Sequence, residues 1–562
     1  MPTYLEGNLS GYRIWSIFYP ALPLLLVVLV GWWHPNLWRK GFRRIERGWR
    51  RIAEQPLRAG LLIITVSLLL SGGLSTIVRW PVPVIADEFS YLLAADTFAA
   101  GRLTNPPHPF GEHFESLHIV QNPSYASKYQ PAQGLLLAAS RRIAGSPVFG
   151  LWASIALGCL AIYWMLLAWS RRQHALLGGL LAAVHPIILE WGQNFWGGGL
   201  PLLGGALTLG ATGRICRSPR RRDGLILGVG LAILANCRPF EGAVLGLLCA
   251  ALAGYALLRR EIVTTPAHFL KVAVMPIVVL LPVVTMMGLY NKRVTGNPFR
   301  MPYLTHQQTY AIATPFIWQS LQPQPVYRHD SIRRFYLEYE LESWRSLRSL
   351  TGFIKKGVIR KVGILLRSYL ATMPMALVLI FPLLRRREQR LRRLWILLGC
   401  FLVMVLSETW LLPHYVAPAA GLIFLMAVES WRLVRVWKVG GKRTGLWLSR
   451  AVLLGSLLAV INLGFRLDRD QQRSWAWADE RSRIEREMPA DGKRHLLLVR
   501  YGLKHNIHQE WVYNGAEIDQ AKVVWAREMD RESNQRLSGY YADRICHLVE
   551  IDDGPPTLKP CQ

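Results

Sequence analysis

The sequence has few charged residues, and few of those are acidic. Only 18% of the 562 residues are charged, and 36 Asp and Glu stand against 66 Lys and Arg. The seven cysteines include no Cys-x-x-Cys pair, the spacing typical of zinc and redox sites. The Gly-rich nucleotide-binding motifs are missing from any strand-to-helix context, and no repeat or low-complexity segment occurs. Together with the high apolar content, this excludes a disordered or fibrous protein.

Apolar residues are abundant: 51% of the chain is hydrophobic and 22 residues are Trp. They form repeated runs of about 16 to 24 residues, the length that a helix needs to cross a hydrocarbon layer of about 30 Å. The sequence thus predicts a polytopic α-helical membrane protein with about twelve transmembrane helices. The predicted spans are 15–33, 59–79, 147–169, 175–190, 196–213, 224–237, 241–258, 271–290, 362–384, 394–411, 415–431 and 445–465.

The basic residues are concentrated in alternate loops. Six loops (38–58, 170–174, 214–223, 259–271, 385–393 and 432–443) hold 29 Lys and Arg, whereas residues 466–562 hold 16 Lys and Arg against 17 Asp and Glu. This alternation is the positive-inside pattern, so the net charge of +30 indicates membrane lipids and not nucleic acid as the partner. We expect a multi-pass protein of a prokaryotic inner membrane, with both termini on the periplasmic side.

Three parts of the chain follow from this map. Residues 1–58 form an N-terminal span and a basic cytoplasmic loop, and residues 59–465 form a transmembrane domain with long external loops at 80–146 and 291–361. Residues 466–562 are predicted to be a small extracytoplasmic α/β domain. Its predicted strands are 495–501, 523–526 and 545–549, with a crossover helix at 532–541, and Cys546 and Cys561 are the cysteines able to pair there.

The first external loop opens with two adjacent carboxylates, Asp87 and Glu88, in Pro83-Val-Ile-Ala-Asp-Glu-Phe-Ser-Tyr-Leu-Leu93. Residues 88–100 have helical periodicity with apolar residues on one side, which predicts a helix lying on the membrane surface. One carboxylate could take a proton from an acceptor hydroxyl, while the other holds a cation or a hydroxyl. Alternatively, both serve as acidic residues that suit the start of a helix.

An Asp-Glu pair followed by x-x-Tyr-Leu, just after an outward-going span, resembles the GT-C glycosyltransferases. The likeness is to the protein mannosyltransferase and aminoarabinose transferase branch. The segment Ser127-Lys-Tyr-Gln-Pro-Ala-Gln-Gly134 is similar to the one that closes the first loop in that family. Two departures are an additional N-terminal span and Gln130-Pro131 where many members carry a double proline.

The resemblance implies a transferase that uses a sugar carried on a polyprenyl phosphate. The acceptor would be a protein, a lipid or a glycan, and the anomeric centre would be inverted. Asp87 would act as the general base with Glu88 as a second catalytic carboxylate, and Lys128 resembles the lysine that meets the donor phosphate. A divalent cation such as Mg²⁺ or Mn²⁺ is a further expectation, with its ligands unknown.

Other candidate site residues come from the loops themselves. Arg238 could bind phosphate or form an intrahelical pair with Glu241. Tyr91 of the acidic motif and His414, in an outward turn, are candidates to line the site, although an interfacial aromatic pair also explains His414.

A group of histidines and glutamates in the first loop is a candidate metal site. His108, His113 and His118, together with Glu112 and Glu115, could hold a divalent ion near Asp87, but ordinary solvated loop residues have the same composition.

The main alternative to an enzyme is a secondary transporter or a lipid or polysaccharide permease, because twelve spans suit that architecture as well. A transporter places ionisable residues at mid-membrane on interrupted helices, often in two related halves. Here the acidic pair lies at the outer end of a span and no related halves occur. A third alternative is a scaffold protein whose tail binds a partner.

Overall fold

A computed structural model describes residues 21–34, 39–262, 264–370, 389–473 and 475–561, and most of residues 21–295 and 389–473 are helical. Six apolar stretches of these residues are long enough to cross a membrane: Pro56–Ile77, Val148–Trp169, Pro239–Leu258, Pro266–Thr295, Pro413–Arg435 and Thr444–Arg469. The protein is therefore a polytopic membrane protein. Its remaining helices near the predicted spans are Ala21–Trp33, Arg39–Glu54, Arg172–Ala183, Pro186–Trp191, Gly199–Ile215, Arg221–Ala235 and Gln389–Leu406.

Each predicted span coincides at least in part with a described helix, with two differences. The predicted span 175–190 is two helices, because Pro186 lacks an N–H group and starts a new helix after a break at 184–185. The predicted span 362–384 begins as the helix Lys361–Tyr369, and residues 371–384 lie outside the described residues, as do residues 15–20 of the first span.

Glycines set the distance between helices in this bundle. A Cβ atom on Gly205 would overlap the carbonyl oxygen of Pro418, and one on Gly210 would overlap the ring of Trp164. The helix Gly199–Ile215 can therefore lie directly against its neighbours only because these positions lack a side chain. Close packing by small residues is the usual source of helix association in membranes, since lipid provides no hydrophobic drive between helices.

Ion pairs join loops that the charge pattern assigns to one face. Glu46 of the basic helix Arg39–Glu54 pairs with Arg435 at 2.5 Å and Arg450 at 3.4 Å. Glu261 pairs with Arg393 at 2.5 Å. The predicted cytoplasmic loops 38–58 and 432–443 thus meet each other, as do loops 259–271 and 385–393.

The tail contains a four-stranded sheet. We label the strands of the protein β1 (Ile119–Val120), β2 (Ala126–Ser127), β3 (Arg494–Tyr501), β4 (Val523–Arg527), β5 (Arg544–Ile551) and β6 (Thr557–Pro560). The strand order is β4-β3-β5-β6, with β4 and β5 parallel to β3 and β6 antiparallel to β5. The helix Arg531–Tyr540 connects β4 to β5 across β3, as the sequence predicted.

The edge strand β6 was not predicted. It is short and exposed, and its residues lack the apolar run that identifies the other strands. A disulfide between Cys546 of β5 and Cys561 confirms the predicted pairing and attaches the end of the chain to the sheet.

The predicted surface helix of the first loop has a different position. This loop helix, Ala86–Ala99, lies under the tail sheet and not on the membrane surface. Phe89 packs against Trp477 and Tyr513, and Leu93 is fully buried in a cluster with residues of β3 and β4. The apolar side of the helix was recognised correctly, but its partner is a sheet formed about 400 residues later in the chain.

We call residues 80–146, 301–369 and 475–561 together the loop layer. Besides the loop helix it contains Pro131–Ala144, Pro302–Tyr310, Asp330–Arg334, Glu342–Arg345, Leu350–Gly352, Lys361–Tyr369 and Ala476–Glu487, with π-helical turns at Phe335–Leu341 and Phe353–Arg360. Short 3-10 helices occupy Gly111–Phe114 and Met488–Asp491 within the layer, and Pro413–Ala419 in the bundle. The layer covers one end of the bundle.

Candidate functional site

A cavity of about 590 Å³ lies between the loop layer and the ends of the bundle helices. Its wall combines the start of the loop helix, the closing segment of the first loop, the second external loop, the turn at 408–415 and His508 of the tail. Of the residues predicted for the site, seven line this cavity: Asp87, Tyr91, His118, Lys128, Arg238, Glu241 and His414. Glu88, His113 and Glu115 do not.

Asp87 stands in the first turn of the loop helix with its carboxylate toward the cavity. The Tyr129 hydroxyl donates a hydrogen bond to Oδ1. Oδ2 lies 3.6 Å from Nε2 of His118, and 26% of the side chain is exposed. Both carboxylate oxygens therefore face donors on one side, while the group remains open to a molecule in the cavity.

Glu88, predicted as a second catalytic carboxylate, lies outside the lining of the cavity and is hydrogen-bonded to the backbone. Its Oε2 accepts hydrogen bonds from the backbone N–H groups of Val84 at 2.6 Å and Ile85 at 3.2 Å, and its Oε1 accepts one from Phe195 at 2.8 Å. Burial raises the pKa of Glu88 to about 7, although the three backbone donors lower it. The carboxyl thus attaches the start of the loop helix to the turn near Phe195, away from the cavity.

Lys128 is buried beside Asp87. Its Nζ donates to Nδ1 of His118 at 2.6 Å and lies over the rings of Tyr129 at 5.1 Å and Tyr303 at 5.4 Å. Burial lowers the pKa of Lys128, whereas the carboxylates of Asp87 and Glu340 raise it. Lys128 therefore has few solvent contacts, and its charged form would interact strongly with an anion in the cavity.

Arg238 precedes the helix Pro239–Leu258 on another wall. Its Nη1 donates to Oε1 of Glu241 at 3.3 Å, which confirms the predicted pair. The guanidinium also lies 4.0 Å from the ring centre of Tyr415. Because Arg238 and Glu241 both line the cavity, the ion pair and a role in binding are compatible.

The two predicted aromatic lining residues have clear positions. Tyr91 stacks on Tyr129 with ring centres 4.4 Å apart, so it supports the residue that donates to Asp87. His414 is 3% exposed and packs between Trp196 at 5.3 Å and Tyr415 at 5.0 Å. It is therefore part of the cavity wall and not an exposed interfacial residue.

The predicted metal cluster is not assembled. His113 Nδ1 bonds to the Arg527 carbonyl at 2.9 Å, and Glu115 lies beside Arg328 at 3.4 Å and His329 at 3.6 Å. Only His118 of the three reaches the cavity. Within the described ranges no three His, Cys, Asp or Glu side chains are placed to hold a metal ion, so the divalent cation stays a prediction without assigned ligands.

Sequence reasoning missed the contribution of the second external loop. Glu340 lines the cavity, where burial raises its pKa to about 7 while Lys128 lowers it and Asp87 raises it. The cations Lys356, Arg360 and Lys361 line it as well. The sequence did contain a signal for these cations. Basic residues in a loop that is predicted to face outward contradict the positive-inside pattern, so their presence indicates another role.

The tail also contributes directly. His508 lines the cavity, and its ring packs edge-on to Phe335 and Tyr339 at 5.8 and 4.7 Å. No pattern in the tail sequence marks this histidine, because only the docking of the sheet on the loop helix brings it to the site.

The chemistry available in the cavity is that of a base next to several cations. A carboxylate open to the cavity can accept a proton from a bound hydroxyl group. Buried or half-buried Lys and Arg side chains can stabilise a phosphate and the charge that develops on it when it leaves. Tyr, Trp and Phe side chains on the same wall provide apolar area for a lipid or a sugar ring.

No family model matches the chain, and no curated protein matches it either. Among solved structures, it is similar to ArnT from Cupriavidus metallidurans in the apo state, with 12% sequence identity and a TM-score of 0.48 over 88% of this chain and 93% of that chain. It is also similar to the apo form of the oligosaccharyltransferase of Archaeoglobus fulgidus, with 12% identity and a TM-score of 0.41 over 87% and 69%. Both are GT-C glycosyltransferases, the superfamily that the sequence resembles.

A second ArnT structure, bound to undecaprenyl phosphate, has 12% identity and a TM-score of 0.46 over 87% of this chain and 92% of that chain.

Proposed function

We propose that the protein is an integral-membrane glycosyltransferase that moves a sugar from a polyprenyl-phosphate donor to an acceptor hydroxyl outside the cytoplasm, with Asp87 as the general base. The observation that carries the proposal is the Asp87 carboxylate, open to a cavity of about 590 Å³ that also contains Lys128 and Arg238. Both the base and the cations that such a transfer needs thus face one space.

The reaction is a single displacement in this proposal. The acceptor oxygen forms a bond to the anomeric carbon from the face opposite the phosphate, and the bond from the anomeric carbon to the phosphate oxygen breaks with inversion. The proton of the acceptor passes to Asp87, which supplies a rate factor of about 10² to 10⁴. Lys128 and Arg238 stabilise the leaving polyprenyl phosphate, so no covalent enzyme intermediate is needed.

The membrane arrangement in the proposal has twelve spans with both termini and the loop layer on the periplasmic side of an inner membrane. The ion pairs between basic loops support it, because they bring four of the six basic loops together in two pairs, as expected for loops on one face of the membrane. The acceptor is a protein, a lipid or a glycan, and the sugar is a hexose or a pentose.

The test is transfer of radiolabelled sugar in proteoliposomes. The donors are undecaprenyl-phosphate-linked sugars, because undecaprenyl phosphate is the lipid in one ArnT structure. We expect Asp87→Asn to lower kcat by about 10² or more while the protein remains folded. Glu88→Gln is the matched control, since its carboxyl lies outside the cavity, and it retains transfer per folded molecule.

Equal rates for wild type and Asp87→Asn would remove Asp87 as the base. The alternative, a transporter or permease, predicts movement of labelled lipid or glycan across sealed vesicles without any new glycosidic product. Measuring product formation and label distribution in the same vesicles separates the two functions.

A further inference from the structure

His118 lies between Asp87 and Lys128, which carry opposite charges in the proposed mechanism. Its Nδ1 is 2.6 Å from Nζ of Lys128, and its Nε2 is 3.6 Å from Oδ2 of Asp87. The side chain is 8% exposed, so the ring has little freedom to exchange these partners for water.

The direction of the hydrogen bonds follows from the chemistry of the two neighbours. A Lys ammonium can only donate, so Nδ1 of His118 must accept and the ring proton must be on Nε2. Burial lowers the pKa of His118 well below its usual value, and Lys128 and His508 lower it further, which keeps the ring neutral. The Nε2–H group then faces the Asp87 carboxylate at 3.6 Å, which is longer than a direct hydrogen bond but short enough for the N–H dipole to attract the negative charge.

The backbone at His118 is held in an uncommon conformation. Its φ of 66° lies in the left-handed region, which is costly for a residue with a Cβ. The carbonyl of His118 accepts hydrogen bonds from the Ser90 hydroxyl at 2.7 Å and from the Lys128 N–H at 3.3 Å. The loop helix and the closing segment therefore both hold the strained residue, and both carry a charged group that its ring contacts.

We propose that His118 is a positioning residue that holds the Asp87 carboxylate and the Lys128 ammonium apart, with its Nε2–H directed at Asp87 and its Nδ1 accepting a hydrogen bond from Lys128. The inference rests on the proposed function. Without the imidazole, Lys128 is free to move onto Asp87 and form a direct ion pair. The base would then be blocked, and the cation would no longer be directed at the phosphate of the donor.

The test removes the His118 side chain by mutation and supplies imidazole in solution in its place. His118→Gly removes the hydrogen bond with Lys128 and the Nε2–H contact with Asp87, and glycine tolerates the positive φ, so the backbone is not strained by the substitution. We expect a loss in kcat of roughly 10- to 100-fold, the usual cost of losing an orienting partner. We also expect binding of undecaprenyl phosphate, followed by tryptophan fluorescence, to weaken roughly tenfold as Lys128 is displaced.

Two small molecules, each used at a pH where it is neutral, distinguish a positioning role of the His118 ring from a packing role. Imidazole has one donor and one acceptor, so it should restore both lipid binding and kcat. 1-Methylimidazole has only the acceptor, so it should restore undecaprenyl phosphate binding through Lys128 but not kcat. His268→Ala, at a site distant from the loop layer, is the control and should respond to neither compound.

A second variant covers a failure of His118→Gly to fold. Asn tolerates the left-handed region and offers an acceptor near the Nδ1 position, so His118→Asn should keep lipid binding and lose kcat. Wild-type kcat in either variant, or equal rescue of kcat by both compounds, would overturn the inference. An inactive wild type that binds the lipid would instead count against the proposed function.

Discussion

The helix bundle and the loop layer are held together by different chemistry. In the bundle, glycines allow backbone to approach backbone, as at Gly205 against Pro418. In the loop layer, large aromatic residues and a buried ion pair form the core, among them Trp511, Trp525 and Arg527. The difference follows from the solvent: water drives burial of apolar area in the loop layer, whereas in lipid only close packing gains free energy.

The site lies where the bundle and the loop layer meet, because each region contributes part of the cavity wall. The bundle contributes Arg238, Glu241 and His414 from helix ends, and the loop layer contributes Asp87 and Lys128. Neither region forms the cavity alone. Variants that loosen one region and leave the other intact can therefore reveal which of the two determines activity.

The largest expected effect is in the loop layer at Arg527. Its Nη2 donates to Glu510 at 2.5 Å, its Nε to the Glu115 carbonyl at 2.6 Å and its Nη1 to Ser331 at 2.8 Å, and its side chain is 2% exposed. It thus joins the tail to both external loops. Arg527→Met removes the positive charge beside the buried Glu510 carboxylate, which keeps only the neutral donors Tyr501 and Val512, so we expect a loss of about 3–5 kcal/mol in the stability of the layer.

Thermal unfolding followed by near-UV circular dichroism measures this effect, because tryptophans are buried next to the pair. Arg494→Met is the matched control: Arg494 pairs with Asp543 at 3.3 Å on the same sheet, but both side chains are half exposed or more. It should cost less than about 1 kcal/mol. Similar losses of stability in the two variants would contradict the role of Arg527 in joining the tail to the two external loops.

The next effect is a pH dependence at Glu88. Its pKa is raised from 4.5 to about 7 in the folded protein, so the protonated carboxyl is favoured by folding. The contribution of Glu88 to the free energy of unfolding is fully present below pH 4.5 and is lost as the pH rises to about 7. A gap of about 2.5 pH units at about 1.4 kcal/mol each amounts to about 3 kcal/mol.

The measurement compares wild type with Glu88→Gln, which cannot ionise, by thermal unfolding between pH 4.5 and 8. The difference in stability between them should shift in favour of the variant as the pH rises through this window. A difference that is constant with pH would show that Glu88 does not titrate in the folded state as described.

The smallest expected effect is in the bundle, at Gly205. Gly205→Ala forces the helix Gly199–Ile215 away from Pro418, at a cost of about 1–3 kcal/mol for overpacking. Gly254→Ala is the control, since a Cβ there meets no atom within 4 Å. Unfolding in detergent micelles followed by helical circular dichroism should separate the two variants, and equal stability would show that close packing at Gly205 is dispensable.

Features that depend on nearby residues were predictable. The apolar runs located the helices to within a few residues in most cases, and short continuous apolar runs located strands β3, β4 and β5. The acidic motif and its neighbours identified Asp87, Lys128, Arg238 and His414 as candidates that do line one cavity. These signals are local because helix and strand periodicity repeats over a few residues.

Features that depend on distant partners were not predictable in the same way. Asp87 and Glu88 are adjacent and chemically alike, but one faces the cavity while the other accepts three backbone hydrogen bonds. His113 and His118 were grouped because they lie in one loop beside glutamates, and the fold separates their side chains. Glu340 and His508 have no local signal that relates them to Asp87.

The sequence by itself determined the membrane-protein class, the helical segments, the strands of the tail and the region of the chain in which the candidate carboxylates stand. Only the tertiary structure decided which of the two carboxylates faces the cavity, because the direction of a side chain at a helix start depends on the groups packed around it. It also decided that the tail covers the loop helix, since that contact joins surfaces about 400 residues apart whose apolar sides could each have been buried against other partners.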